Sequence, residues 1–324
     1  MPTAFVTGGS GFIGGRLIER LVRDGWMVRA LARSDAAAAR VRERGAEFVR
    51  GDLADKPALS RGMQGADVAF HAAAVVDDWG SWKDFRRINV DGTKMVLVAA
   101  RALGVRRVVH VGTEAAVLHG QPLVLADERT PLALDSPSPY PATKAEAEAA
   151  VVSANGDGLE TIVVRPRFVW GRGDTTLLPT MVKMVESGRF RWIGGGTQRT
   201  SVTHVDNTVE GLVLAADRGT PGAAYFVTDG EPVVFREFVS ELLATQGVQA
   251  PDGSVPRPVA AALARTGEAA WRLLPLPGRP PLTRMALWVS SLECTLDDSR
   301  ARAELGYAPI VSRADGLKAL TRTE

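Results

Sequence analysis

One glycine-rich stretch, Thr7-Gly8-Gly9-Ser10-Gly11-Phe12-Ile13-Gly14, constrains the fold of this chain more than any other. It follows a short apolar run, Thr3–Thr7, that reads as a buried strand. It precedes a segment with apolar residues at 13, 17, 18, 21 and 22, the stripe of a helix that stops at Gly25. Gly9, Gly11 and Gly14 satisfy GxGxxG, and Gly8, Gly11 and Gly14 satisfy GxxGxxG. Either register gives a tight turn, a backbone without side chains, and a helix start whose free N–H groups face an anion. A strand, such a turn and a helix form the first βαβ unit of a dinucleotide-binding sheet.

The pattern continues. Strands are expected at 27–31, 47–49, 67–71, 107–111 and 160–164, with helices at 35–44, 87–103 and 140–154. Strands alternating with helices imply right-handed crossovers and a parallel sheet covered on both faces. The expected fold class is α/β, a Rossmann-type doubly wound parallel sheet. Residues 1–165 are read as its dinucleotide-binding domain, with a later strand and helix returning to it. Residues 166–324 are broken up by glycine turns and by prolines such as Pro251, Pro256, Pro275, Pro277, Pro280 and Pro281. They are read as a smaller, mostly helical substrate lobe, with helices near 177–187, 205–216 and 235–246.

Composition removes several classes of function. Lys plus Arg number 39 against 37 Asp plus Glu, a net charge of +2, so no basic surface for nucleic acid is expected. One cysteine, Cys294, excludes an internal disulfide and a multi-thiolate metal site. The histidines show no metal-ligand spacing, and no metal is expected. No basic leader and no apolar run of membrane-spanning length is visible, so a cytoplasmic protein without an integral membrane segment is expected.

Two further groups carry chemistry. At the end of the second strand, Arg33 is the first polar residue, and a guanidinium there suits a ribose 2′-phosphate. NADP(H) is therefore favoured as cofactor, with NAD(H) kept open by Asp35. Tyr140 and Lys144 are four apart at the start of a helix, on one face. An ammonium near the phenol is expected to lower its pKa, making it a general acid or base for a carbonyl/alcohol pair. Thr113, just after the fifth strand, is the candidate donor to the substrate oxygen, with Glu114 as a competitor for proton transfer. Thr113 also reads as an ordinary turn cap.

These residues resemble the motifs of the extended short-chain dehydrogenase/reductases, over nearly the whole chain. TGGSGFIG (7–14) matches the family's phosphate loop and YPATK (140–144) its YxxxK. The resemblance implies cofactor contacts from Gly8, Ser10, Gly11, Phe12, Ile13 and Gly14. It implies adenine contacts from Asp52 and Leu53, and a cofactor border at Ala72, Ala73 and Ala74. Asn89, in NVDGT, is implied to support the active-site helix and a proton-relay water. Pro166 and Val169, in RPRFVWG, are implied to lie beside the nicotinamide. Thr113 stands where relatives carry a catalytic Ser, and Trp170 replaces a usual Tyr.

The carboxyl-terminal part is most similar to the 3β-hydroxysteroid dehydrogenase and dihydroflavonol-reductase branch, through PPLTR (280–284) and DSRA…ELGYAP (298–309). That branch implies an NAD(P)-dependent oxidoreductase interconverting a secondary alcohol and a ketone on an apolar small molecule, steroid-like or a β-keto acid. It also implies a homodimer through the helices at 87–103 and 140–154. Trp79 and Trp82 are expected to overhang the site or to pack in the lobe. A membrane-surface role for 259–274 is disfavoured by its few Lys and Arg. Two other functions compete. A nucleotide-sugar epimerase or dehydratase would use Arg189, Arg191 and Arg199 for a diphosphate. A non-catalytic dinucleotide sensor would have no use for Tyr140 and Lys144.

Overall fold

A computed structural model describes residues 1–274 and 276–321; Pro275 of the proline-rich stretch and the last three residues lie outside them. Seven strands form one parallel sheet: β1 (Thr3–Thr7), β2 (Met27–Ala32), β3 (Glu47–Arg50), β4 (Val68–His71), β5 (Arg107–Val111), β6 (Glu160–Pro166) and β7 (Ala224–Val227). Their order across the sheet is β7-β6-β5-β4-β1-β2-β3. The direction of winding reverses between β1 and β4, which opens a crevice at the carboxyl edge. There Thr7 pairs with His71, and His71 with His110, so three polar residues lie in one row at the carboxyl ends of adjacent strands.

Successive strand residues face opposite sides, and both sides are apolar. Ala4 and Val6 pack with Leu17, Ile18 and Leu21 of α1 (Phe12–Arg23) and with Val209 and Leu212 of Val205–Arg218. Phe5 packs on the other side, with Leu59 and Met63 of Lys56–Met63, Val96 and Leu97 of Gly92–Ala102, and Val151 of the active-site helix Pro139–Ser153.

Helix Val205–Arg218 and strand β7 thus come back to the sheet from the second half of the sequence. Traffic also runs the other way. Strand Leu123–Ala126 leaves the first half to join a small sheet with Cys294–Leu296, Arg199–Thr200 and Val233–Val234. Strands this short carry no readable period, which is why the sequence did not announce them.

The helix expected at 87–103 differs in an instructive way. It begins earlier, as Trp82–Phe85, passes through a π-helical turn Arg86–Asp91, and continues as Gly92–Ala102. A π turn seldom survives without a function to hold it, and this one contains Asn89. Lys56–Met63, Arg284–Ser291 and Arg313–Leu320 were not anticipated at all, and Arg257–Leu273 was not read as a helix.

Candidate functional site

The loops after β1 and β4 meet at the crevice. Gly8 has a φ of 73°, and a Cβ there would lie 2.6 Å from the Ala72 carbonyl carbon. A Cβ on Gly14 would lie 2.3 Å from the Gly8 carbonyl oxygen. Only glycine fits either place. The turn closes through Gly11 N–H, which donates to Gly8 O at 2.9 Å, and helix α1 then starts with no side-chain cap. Its first N–H groups remain available to an anion. Ser10, Phe12 and Ile13 are half-buried around this cradle, as are Ala72, Ala73 and Ala74 opposite it. The cradle fits the pyrophosphate of a dinucleotide.

A buried histidine clasps the crevice from below. The Thr93 hydroxyl donates to Asn89 O at 2.6 Å, so it accepts from His71 Nε2 at 2.8 Å. His71 Nδ1 therefore accepts from the Thr7 hydroxyl at 2.7 Å. Burial and the Lys144 charge push the His71 pKa down to about 3, keeping the ring neutral. Asn89 accepts from Val75 N–H at 2.8 Å and donates to Thr143 Oγ1 at 3.2 Å. It ties the loop after β4 to the active-site helix.

That helix carries a stripe of ionisable residues at four-residue spacing, Tyr140, Lys144 and Glu148, all buried against the sheet. Lys144 Nζ donates to Val111 O at 2.8 Å and lies 3.2 Å from His110 Nε2. Burial lowers its pKa to about 8, with the Glu148 carboxylate opposing. The same burial, with Lys144, holds the His110 pKa well below its usual value. A neutral His110 accepts from the ammonium, and its Nδ1 has no partner among the described residues. Glu148 is clamped in turn by Arg165 of β6, whose Nε donates at 2.9 Å.

Tyr140 packs among Phe85, Ala115, Val75 and Met285. Its hydroxyl meets the Thr113 side chain. Here the expectation fails. The Tyr140 pKa is raised, first by burial and then by the Glu114 carboxylate, with the Thr113 contact opposing. Lys144 does not lower it, because its ammonium is drawn back to Val111 O and His110. Four residues along a helix share a face, but the two side-chain ends go to different partners.

Thr113 does cap a turn, accepting from Ala115 N–H at 3.2 Å. Its hydroxyl donates to Glu114 Oε2 at 2.8 Å. Glu114 Oε1 accepts from Arg167 Nη1 at 2.6 Å, in a buried ion pair. Arg167 also donates to Thr200 Oγ1 at 2.9 Å and contacts Cys294, whose thiol burial pushes up to about 12. The sequence pointed to Thr113, Tyr140, Lys144 and Asn89. It missed His71, His110, Glu148, Arg165 and Arg167. Glu148 was signalled by the continuation of the Tyr140–Lys144 spacing, masked by an Ala/Glu-rich run typical of solvated helices, and Arg165 and Arg167 lie in the RPRFVWG motif, which had given roles only to Pro166 and Val169.

The remaining candidates sit at the rim. Arg33 is exposed at the end of β2, and Asp35 beside it pairs with Arg50. Asp52 is exposed and accepts from Ala54 N–H at 2.8 Å, while Leu53 packs against Gly92. Pro166 ends β6, and Val169 begins a two-residue strand beside Thr203–His204. Phe168 between them has a φ of 46°, a strained left-handed conformation. Arg189 donates to Ser187 and Arg191 to the Gly188 and Phe190 carbonyls, so neither points to a shared diphosphate site. Trp79 and Trp82 pack against Arg272, whose guanidinium lies 5.6 and 5.9 Å from their ring centres.

The chain is similar to known proteins over nearly its whole length. The sequence pattern of the 3-beta hydroxysteroid dehydrogenase/isomerase family matches residues 5–257. A 4-hydroxy-2-methyl-3-oxo-4-farnesyl-3,4-dihydroquinoline-1-oxide ketoreductase of Stigmatella aurantiaca is 48% identical over 316 residues, 98% of this chain and 95% of that protein. A 2-alkyl-3-oxoalkanoate reductase of Stenotrophomonas maltophilia is 37% identical over 325 residues, 97% of each. Among solved structures, a dTDP-glucose 4,6-dehydratase from Streptomyces venezuelae with NAD and TYD bound superposes with a TM-score of 0.76 at 27% identity, covering 98% of this chain and 95% of that one. The chain therefore belongs to the 3-beta hydroxysteroid dehydrogenase/isomerase family, and with it to the extended short-chain dehydrogenase/reductases.

Proposed function

We propose that this protein is a nicotinamide-dependent ketoreductase, interconverting a ketone and a secondary alcohol on an apolar small molecule. The observation that carries the reading is Tyr140 and Lys144 buried one turn apart on the helix Pro139–Ser153, with Thr113 buried at the end of the neighbouring strand, beside a cradle that only glycines can form. The relatives named for ketoreductase and oxoalkanoate reductase activity support it.

Gly8, Ser10, Gly11, Phe12, Ile13 and Gly14 hold the pyrophosphate, and Asp52, Leu53, Ala72, Ala73 and Ala74 border the adenosine half. Lys144 holds the nicotinamide ribose, with Pro166 and Val169 beside the ring. A bound nicotinamide supplies or accepts the hydride. Tyr140, kept protonated by burial, gives its proton to the substrate oxygen during reduction. On substrate binding Thr113 turns its hydroxyl proton from Glu114 to that oxygen, and Asn89 keeps the active-site helix in place.

The preferred cofactor is NADP(H). Asp35, the acidic competitor for the ribose, pairs with Arg50, which favours Arg33 as a phosphate ligand. Residues 1–165 chiefly bind the cofactor and 166–324 chiefly shape the substrate side. The unit is read as a homodimer in the cytoplasm; Val98 and Val152, exposed on Gly92–Ala102 and Pro139–Ser153, favour pairing through those helices.

The test is a fluorescence titration with NADPH and NADH, followed by turnover on 2-alkyl-3-oxoalkanoates, 3-ketosteroids and dTDP- or UDP-sugars. Reduction of the apolar ketones with NADPH is the expected result. Turnover of the nucleotide sugars alone would replace the reading with the epimerase/dehydratase one, and tight cofactor binding without any turnover would favour a sensor.

A further inference from the structure

Helix Arg257–Leu273 is mounted with its larger apolar residues pointing away from the protein. Its inward stripe is Ala260, Ala264 and Glu268, all buried. The Glu268 carboxylate is held there by the Arg284 backbone N–H and guanidinium, each at 2.7 Å. On the opposite face Val259 is 50% exposed, Leu263 57% and Leu273 82%. Thr266 and Ala270 fill the steps between them, so the outward face is continuous and carries no charge. Leu274 and Leu276 extend the patch, and Trp82 flanks it.

Single exposed leucines need no explanation, but a contiguous apolar face does. Its surroundings say what covers it. Along the chain the arginines are scattered; in the fold Arg257, Arg265 and Arg272 are exposed around this face, Arg272 over the Trp79 and Trp82 rings, while Arg279 is paired with Asp77 and Asp78. Between residues 256 and 281 the one acidic residue is Glu268, which is buried and paired. An apolar stripe rimmed by guanidiniums on long stems matches an anionic bilayer surface, where the stems lie along the acyl boundary and the charges reach the headgroups.

We propose that helix Arg257–Leu273 docks in the plane of an anionic phospholipid surface. Val259, Leu263 and Leu273 enter the acyl boundary, and Arg257, Arg265 and Arg272 sit among the phosphates. The segment that follows the docked helix links it to the site. Thr283, after this helix, donates to Asp78 at 2.6 Å, and Met285 packs in the Tyr140 cluster. Docking itself does not depend on the ketoreductase reading. On that reading, it sets the substrate entrance against the leaflet that dissolves an apolar ketone.

The experiment is flotation of the full chain with phosphatidylcholine vesicles, with and without about a quarter phosphatidylglycerol. The protein floats with the anionic vesicles and at least about tenfold less with phosphatidylcholine alone or in high salt. Leu263→Asp combined with Leu273→Asp lowers the floated fraction at least about tenfold, with circular dichroism and cofactor binding unchanged. Arg257→Gln with Arg265→Gln lowers it less. Absence of flotation with anionic vesicles would overturn the proposal, as would equal flotation of the Leu263/Leu273 variant. A wild-type dimer that stays off vesicles and becomes a monomer in that variant would overturn it in favour of self-association.

Discussion

The two ends of one helical stripe, Tyr140 and Lys144, lie one turn apart and live in opposite electrostatic surroundings. Lys144 faces neutral histidines and a backbone carbonyl, and burial lowers its pKa to about 8. Tyr140 faces Thr113 and the Glu114–Arg167 pair, and burial with the Glu114 charge raises its pKa. Desolvation favours the neutral form of each, so it moves an acid up and a base down. Before any cofactor arrives, the site stores a protonated phenol next to a lysine close to its titration point. That is the resting state a reductase needs, since the phenol must arrive with its proton.

The comparison breaks most sharply through Tyr140→Phe. Turnover should fall by about 10²–10⁴, with cofactor affinity changed by less than about threefold. Steady-state rates and a fluorescence titration measure both; retained turnover would show that the Tyr140 end does no proton transfer. Next in size is the support of the stripe. Glu148→Ala leaves the Arg165 charge buried and unpaired, which should cost about 3–5 kcal/mol of stability. A denaturant melt reads this, and a loss below about 1 kcal/mol would mean that solvent reaches Arg165.

The Lys144 end is tested by pH. The ammonium is the form that holds a ribose, so cofactor affinity should weaken as pH rises through about 8. The slope should reach at most about tenfold per pH unit and disappear in Lys144→Met. Glu114→Gln gives the smallest effect and sharpens the contrast most. It keeps an acceptor for Thr113 and removes the charge that raises the Tyr140 pKa. The pH at which the oxidation rate rises should move down by about half to one unit. An unmoved rise would mean that Arg167 already cancels the Glu114 charge at Tyr140.

How much of this the sequence announced follows the same division. Local features were legible: the glycine turn, five strands of the sheet before residue 165 beyond β1, and the Tyr140–Lys144 spacing. A later strand returning to the sheet was expected but β7 was not placed, and the two-residue strands were not legible, since their partners lie far along the chain. The electrostatics were legible only in part. A Tyr and a Lys on one face suggest mutual influence, but the result depends on what each side chain meets. His110 and Glu114 belong to neither motif, and they come to the site only through strand register and the turn after β5. Asn89 was found by its motif, but the π turn that aims it was not.

The protonated resting phenol is tested most directly by ultraviolet titration of the cofactor-free protein, taken as the difference between wild type and Tyr140→Phe so that Tyr225 and Tyr307 cancel. No phenolate from Tyr140 should appear below pH 10, the ordinary tyrosine value that burial and Glu114 have raised. A phenolate signal near neutral pH in the free protein would contradict the account, and would return the pair to a phenol already ionised by its lysine neighbour.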